Sequence, residues 1–166
     1  FEVETSDWQN IWEINVQSHI FAAKHVLPQM LKRGEGYLMS ASSAAGLLTQ
    51  IGSAGYSVTK AAAVSFAEWL KITYGNKGIG VSCLCPQAVR TAMTAQGAGV
   101  AGVDGMIEPE VAAADVLDAI EKERFLVTPH AEVLEYVSRK GNDRDRWISG
   151  MQRLQERYED WKPGDD

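Results

Sequence analysis

Tyr56 and Lys60 stand four residues apart in GYSVTKAAAVSFAEWL, and Ser43 lies thirteen residues before the tyrosine in SASSAAGLL. Four residues is about one helical turn, so at the start of a helix the two side chains share a face. An ammonium ion beside a phenol favours phenolate, which is the chemistry of moving a proton to and from oxygen. A serine hydroxyl brought to the same place can hydrogen-bond charge that develops on a reacting oxygen. Alone, a Tyr and a Lys at this spacing are most often a surface pair. Their meaning depends on the elements that carry them.

Those elements alternate along the chain. A long amphipathic helix is expected over 7–33, introduced by Ser6 and Gln9 as a capping box, with a bend at Pro28 and a stop at Gly34 to Gly36. Trp8, Trp12, Val16, Ile20, Ala23, Leu27 and Met30 recur in it at helical spacing. Residues 37–42 form a short apolar strand, and a small-residue loop from Ser43 to Gly55 leads to a second helix over 56–74. Ala62, Phe66, Trp69, Leu70 and Thr73 mark one side of that helix, and GNKG at 75–78 stops it. A strand over 79–85 follows. The loop 86–108 has the length of an active-site lid or a disordered stretch. Pro109 opens a helix to about residue 120, and Phe125 to Thr128 reads as a third strand.

Helix, strand, helix, strand, helix, strand implies an α/β fold, a partial Rossmann-like, doubly wound parallel sheet of about three strands flanked by long helices. Residues 1–130 would form this portion. Residues 131–166 would be a helical C-terminal extension, with Trp147, Ile148, Met151, Leu154 and Tyr158 at helical spacing and a frayed PGDD end. Ser43 then ends a strand, where such a fold opens its crevice to ligands, and can meet Tyr56 and Lys60 there.

Composition narrows the partners. The chain has 166 residues, 45% apolar and 23% charged, which suits one globular domain. A net charge of -6 without a compact basic block argues against nucleic acid. No window reaches the roughly 20 apolar residues of a membrane span, and no signal-peptide pattern opens the chain, so a cytoplasmic location is expected. Cys83 and Cys85 fall on one face of a strand as buried thiols. His19, His25 and His130 have no metal-ligand company in the sequence, and structural roles are expected for them.

The order SSAAG at 42–46, YSVTK at 56–60 and PQAVRT at 86–91 resembles the short-chain dehydrogenase/reductase family, from about Ser6 to Pro129. The resemblance implies an oxidoreductase moving hydride between NAD or NADP and a small alcohol or ketone. It makes Tyr56 the general acid or base, Lys60 its tuner and the holder of the nicotinamide ribose, and Ser43 the partner of the substrate oxygen. Asn15, in EINVQSHIF, would complete a tetrad through a water relay to the lysine. Ser42 would be a turn residue. Pro86, Val89 and Thr91 match the segment that lies against the nicotinamide, with Gln87 where the family has glycine.

The family's glycine-rich phosphate turn, set between a strand and a helix, has no counterpart among the 166 residues. The expectation is a C-terminal catalytic portion, incomplete and inactive alone, arising from a partial reading frame or from a natural truncation that exposes a sheet edge. The alternative is a non-catalytic assembly module. In either case the resemblance implies a homo-oligomer through helices 7–33 and 57–74.

Overall fold

The computed structural model describes residues 4–160. Its centre is the strand β2 (Ile79–Leu84), an almost unbroken run of apolar and small residues, as a strand covered on both faces must be. Ile79, Val81 and Cys83 point one way, Ser82 the other, and each is at most 1% exposed. β1 (Gly36–Ala41) pairs with β2 in parallel from Gly36 opposite Ile79 to Ala41 opposite Leu84, and β3 (Leu126–Val127) pairs along the other side. The sheet order is β1, β2, β3, so β1 is an edge strand. Ser82 satisfies its buried hydroxyl by donating to the Arg124 carbonyl at 2.6 Å and accepting from Tyr37 at 2.6 Å.

Two long helical stretches cover the odd-numbered face of β2. The first is interrupted: α1 (Thr5–Trp12) and α2 (Ser18–Arg33) are joined by a π-helical turn, Glu13–Gln17. The single unbroken helix expected over 7–33 is therefore corrected, and the irregularity falls at the π turn while Pro28 sits inside α2. The capping box is also absent. Helix already begins at Thr5 behind Glu4, which leaves Ser6 inside the first turn, and the Gln9 amide reaches forward to Glu13 at 2.8 Å instead.

The second stretch, α4 (Ala54–Tyr74), turns Ala63, Val64, Ala67 and Leu70 inward. Val64, Ala67 and Leu70 form the main core with β2 and with Ala23 and Leu27 of α2. Of the side expected from periodicity only Leu70 is fully buried. Phe66 stacks on Trp69 at 6.2 Å on the flank, where Trp69 remains 51% exposed. The chain leaves α4 through Gly78, whose φ of +81° and contact with the Gly34 carbonyl admit no side chain.

The loop expected over Ser43 to Gly55 contains a short helix, α3 (Ala44–Leu48). The segment 86–108 is pinned rather than disordered: Val89 bridges Ile107, and Arg90 forms an ion pair with Glu108 at 2.7 Å. α5 (Pro109–Glu121) then packs on β2 and β3. α6 (Glu132–Asn142) and α7 (Arg144–Arg157) follow, and the fully buried Val133 joins Ala44 and Leu48 in a second small core beneath them. The PGDD end lies outside the described residues. Among the described residues, no helix is long and apolar enough to cross a membrane.

Gly46 is where α3 meets α4 at backbone distance, because a Cβ there would lie 2.6 Å from the Lys60 carbonyl oxygen. Gly46→Ala is expected to lower stability by about 2 kcal/mol through this overpacking. Urea unfolding monitored by circular dichroism checks the loss, and an unchanged midpoint would refute the close approach.

Candidate active site

The site grows from the ends of the two long strands. After β1 the chain turns sharply, and Ser43 caps α3 by accepting the Ala45 backbone N–H at 3.1 Å. Its hydroxyl also makes a long contact, 3.4 Å, with the Pro86 carbonyl beyond β2. Ser42 donates to the Lys60 carbonyl at 2.8 Å and so fastens the end of β1 to α4.

Ser43 and Tyr56 line one cleft of about 1280 Å³, together with Pro86, Gln87, Val89 and Thr91. This lies past the carboxyl ends of parallel strands, where α/β folds bind ligands. Lys60 does not line the cleft. Its ammonium lies 5.5 Å from the centre of the Tyr56 ring and 3.5 Å from the Ala41 carbonyl. Burial pushes Lys60 below the ordinary lysine range, with the nearby Cys85 and Cys83 pulling weakly the other way.

Asn15 occupies the middle of the π turn and donates to Thr59 Oγ1 at 3.0 Å. Its side chain is thus tied to the residue before Lys60. π-Helical turns occur frequently at functional sites, because they aim a side chain or carbonyl that a regular helix would not. Thr59 is fully buried and also donates to the Gly55 carbonyl at 2.8 Å. Sequence reading passed over it, although it stands inside YSVTK.

His19, for which a structural role is expected, sits one turn after Asn15, and its Nδ1 is 3.3 Å from Ser40 Oγ. Burial, reinforced by the Lys60 charge, lowers its pKa. Cys83 and Cys85 lie close by, both buried and free, with their sulfurs 3.8 Å apart. Cys83 and burial hold the Cys85 thiol far above the ordinary range.

On the far side of the cleft Gln87 begins a chain of polar contacts. Its amide donates to Asp104 at 2.9 Å, and Asp104 accepts from Tyr136 at 2.9 Å, which couples the 86–108 segment to α6. Burial and that hydrogen bond raise the Tyr136 pKa. His130 is 4% exposed and accepts the Gln87 backbone N–H at 3.2 Å. Thr91 and Thr94 cap each other reciprocally in a short turn, so the Thr91 oxygen already accepts one backbone N–H.

A parallel sheet with packed helices and a cleft beyond its strand ends defines a partial Rossmann-like α/β protein. More closely, the chain belongs to the short-chain dehydrogenase family, whose family model matches residues 1–99. Oxidoreductase UcpA of Salmonella typhimurium is 32% identical over 143 residues, 86% of this chain and 52% of that protein. Meso-2,3-butanediol dehydrogenase of Serratia marcescens is 30% identical over 93 residues, 56% of this chain and 37% of that enzyme. The chain thus spans about half the length of UcpA, or less for the butanediol enzyme.

Among solved structures, a short-chain dehydrogenase from Sphingobium yanoikuyae in complex with NADPH superposes with a TM-score of 0.71 at 18% identity, covering 99% of this chain and 61% of that one. The bulky-bulky ketone specific alcohol dehydrogenase from Comamonas testosteroni gives 0.68 at 17% identity, covering 99% and 59%. At these identities the likeness is one of fold.

The Lys60 environment has a measurable signature. The folded chain releases the Lys60 proton below the ordinary value of 10.5, so in that window the unfolded chain holds more protons. Stability relative to Lys60→Met should therefore rise as pH climbs through the folded-state pKa towards 10.5, and then level off. Urea unfolding of both proteins across that range measures the difference. A difference independent of pH would mean that Lys60 is solvated like any surface lysine.

Proposed function

We propose that this chain carries the catalytic half of a nicotinamide-dependent oxidoreductase acting on small alcohols or ketones. The observation that carries the reading is the meeting of Ser43 and Tyr56 in one cleft, with the Lys60 cation against the tyrosine ring. A bound nicotinamide would supply or accept the hydride at carbon. Tyr56 then gives its hydroxyl proton to the oxygen in the reducing direction and takes it back in the oxidising one. Lys60 favours negative charge at the phenol oxygen as the proton leaves.

The contacts of Ser43 support its role. The Ala45 N–H fixes its oxygen, while its proton rests only on the 3.4 Å contact with Pro86. Turning that proton towards a substrate oxygen gives up a weak bond and gains a charge-assisted one. Asn15 acts through Thr59 as a positioning residue at the start of α4. Pro86, Val89 and Thr91 would hold the nicotinamide end, with Gln87 adding an amide where the family has glycine.

The choice between NAD and NADP depends on residues beside the cofactor phosphates and ribose, for which these 166 residues offer no glycine-rich turn. The chain by itself is expected to bind either dinucleotide weakly. Titration calorimetry with NADH and NADPH tests this, and micromolar binding would contradict it. In protein shown to turn over an alcohol, Tyr56→Phe should cost about a thousandfold in kcat, the middle of the range for a general acid or base. Retained turnover would refute the assignment.

A second reading, self-association through helices 7–33 and 57–74, rests on exposed apolar side chains. Ile14 is 70% exposed, Phe21 62%, Trp69 51% and Ile72 81%. Large apolar groups clustered on an outer surface mark protein contacts. Phe21→Glu with Ile72→Glu should shift an oligomer to monomer in light scattering. An oligomer indifferent to both changes would exclude this face.

A further inference from the structure

We propose that the substrate is an anion: an alcohol or ketone bearing a carboxylate or phosphate, held by arginines of α7 while its oxygen faces Ser43 and Tyr56. The proposal rests on the oxidoreductase reading for the reacting end of the molecule. The arginine end stands on separate observations.

The chain carries 22 acidic and 16 basic residues, yet its cleft has the opposite sign. Four arginines line it, Arg139, Arg146, Arg153 and Arg157, against a single carboxylate, Asp143. That carboxylate is engaged, because it caps α7 by accepting the Arg146 backbone N–H at 2.9 Å. Arg139 is paired with Glu135. Arg146, Arg153 and Arg157 have no side-chain ion pair or hydrogen bond among the described residues; outside the cleft Arg90 and Arg124 are matched to carboxylates, while Arg33 and Arg144 are not.

Helix stability accounts for Arg157, in the last turn of α7 where the dipole favours a cation, but not for the other two. Arg146 lies in the first turn of α7, where the helix dipole disfavours a cation. Arg153 and Arg157 are one turn apart, where like charges repel. Their spacing of seven and then four residues keeps all three on one face, and Gly150 between them leaves that face open to the cleft. Guanidinium groups are planar forks that match carboxylate and phosphate oxygens in pairs. Leu48, Val100, Met151 and Leu154 line the same cleft and suit the carbon skeleton of such a molecule.

The full chain is titrated calorimetrically with levulinate and its neutral methyl ester, and with dihydroxyacetone phosphate and dihydroxyacetone. The expected result is that one anion binds more tightly than its neutral counterpart, and that its affinity falls as salt is added. The pair that shows the preference tells carboxylate from phosphate. Combined Arg146→Gln, Arg153→Gln and Arg157→Gln should weaken that anion about tenfold, as the sum of exposed charge pairs allows. The neutral ligand should be unaffected, and Arg153→Lys should retain part of the effect.

Arg144→Gln, on the same helix but outside the cleft lining, should change nothing and controls for helix damage. If the triple variant does not fold, Arg153→Gln alone should still weaken the anion about threefold. Equal binding of anion and neutral ligand, no binding of any of the four, or an arginine effect on NADPH alone would overturn the proposal. Tyr56→Phe separates the two readings: anion binding should survive in it, and loss of the catalytic assignment would leave the arginine dependence standing.

Discussion

The site depends on one backbone contact, the approach of α3 to α4 at Gly46 and Lys60. A hydrogen at the Gly46 α-carbon is all that fits against the Lys60 carbonyl, and the Ser42 hydroxyl donates to that same carbonyl at 2.8 Å. One oxygen atom on α4 thus takes up the end of β1 and the whole of a short helix. Ser43, standing between those two contacts, has little freedom left. The distance between its hydroxyl and the tyrosine one turn before Lys60 follows from packing rather than from side-chain adjustment.

The sheet supplies the other constraint. β2 buries both faces, which forces long helices over one side and ties Tyr37, Ser82 and the Arg124 carbonyl together within it. Each fully buried Ile or Val in this layer contributes roughly 1.5–3 kcal/mol. That rigid layer holds the Pro86 to Thr91 segment and the turn at Ser43 on the same side of the molecule. The apolar centre and the cleft are two ends of one arrangement.

Much of this was legible in the residues. The alternation of helix and strand, the serine after β1 and the pair one turn apart on α4 all lie where pattern and spacing placed them. What escaped was long-range or concerned phase. The burial of Ala63 and Ala67 instead of Phe66 and Trp69 reflects how close a helix may come to a sheet, which periodicity does not encode. α3 is too short for a periodic signal, and Ser43 as its cap could be recognised only with the Ala45 contact in view. The Gln87, Asp104 and Tyr136 chain joins residues far apart in sequence and has no local signature. Family membership reached the class of chemistry, whereas the arginine face of α7 is defined only by the cleft it lines.

The π-helical turn at Glu13–Gln17 has a geometric meaning for the whole first layer. Each residue of an α-helix advances by about 100°, so a turn that holds one residue more changes which side of the following helix faces a given neighbour. Upstream of it, Trp8 and Ile11 lie beside Gly55 at the start of α4; downstream, Ala23 and Leu27 pack with Val64, Ala67 and Leu70 further along the same helix. An uninterrupted α-helix of this length would keep one of these contacts in phase and turn the other out of it. The extra residue works as a phase correction, and Asn15 stands at its midpoint.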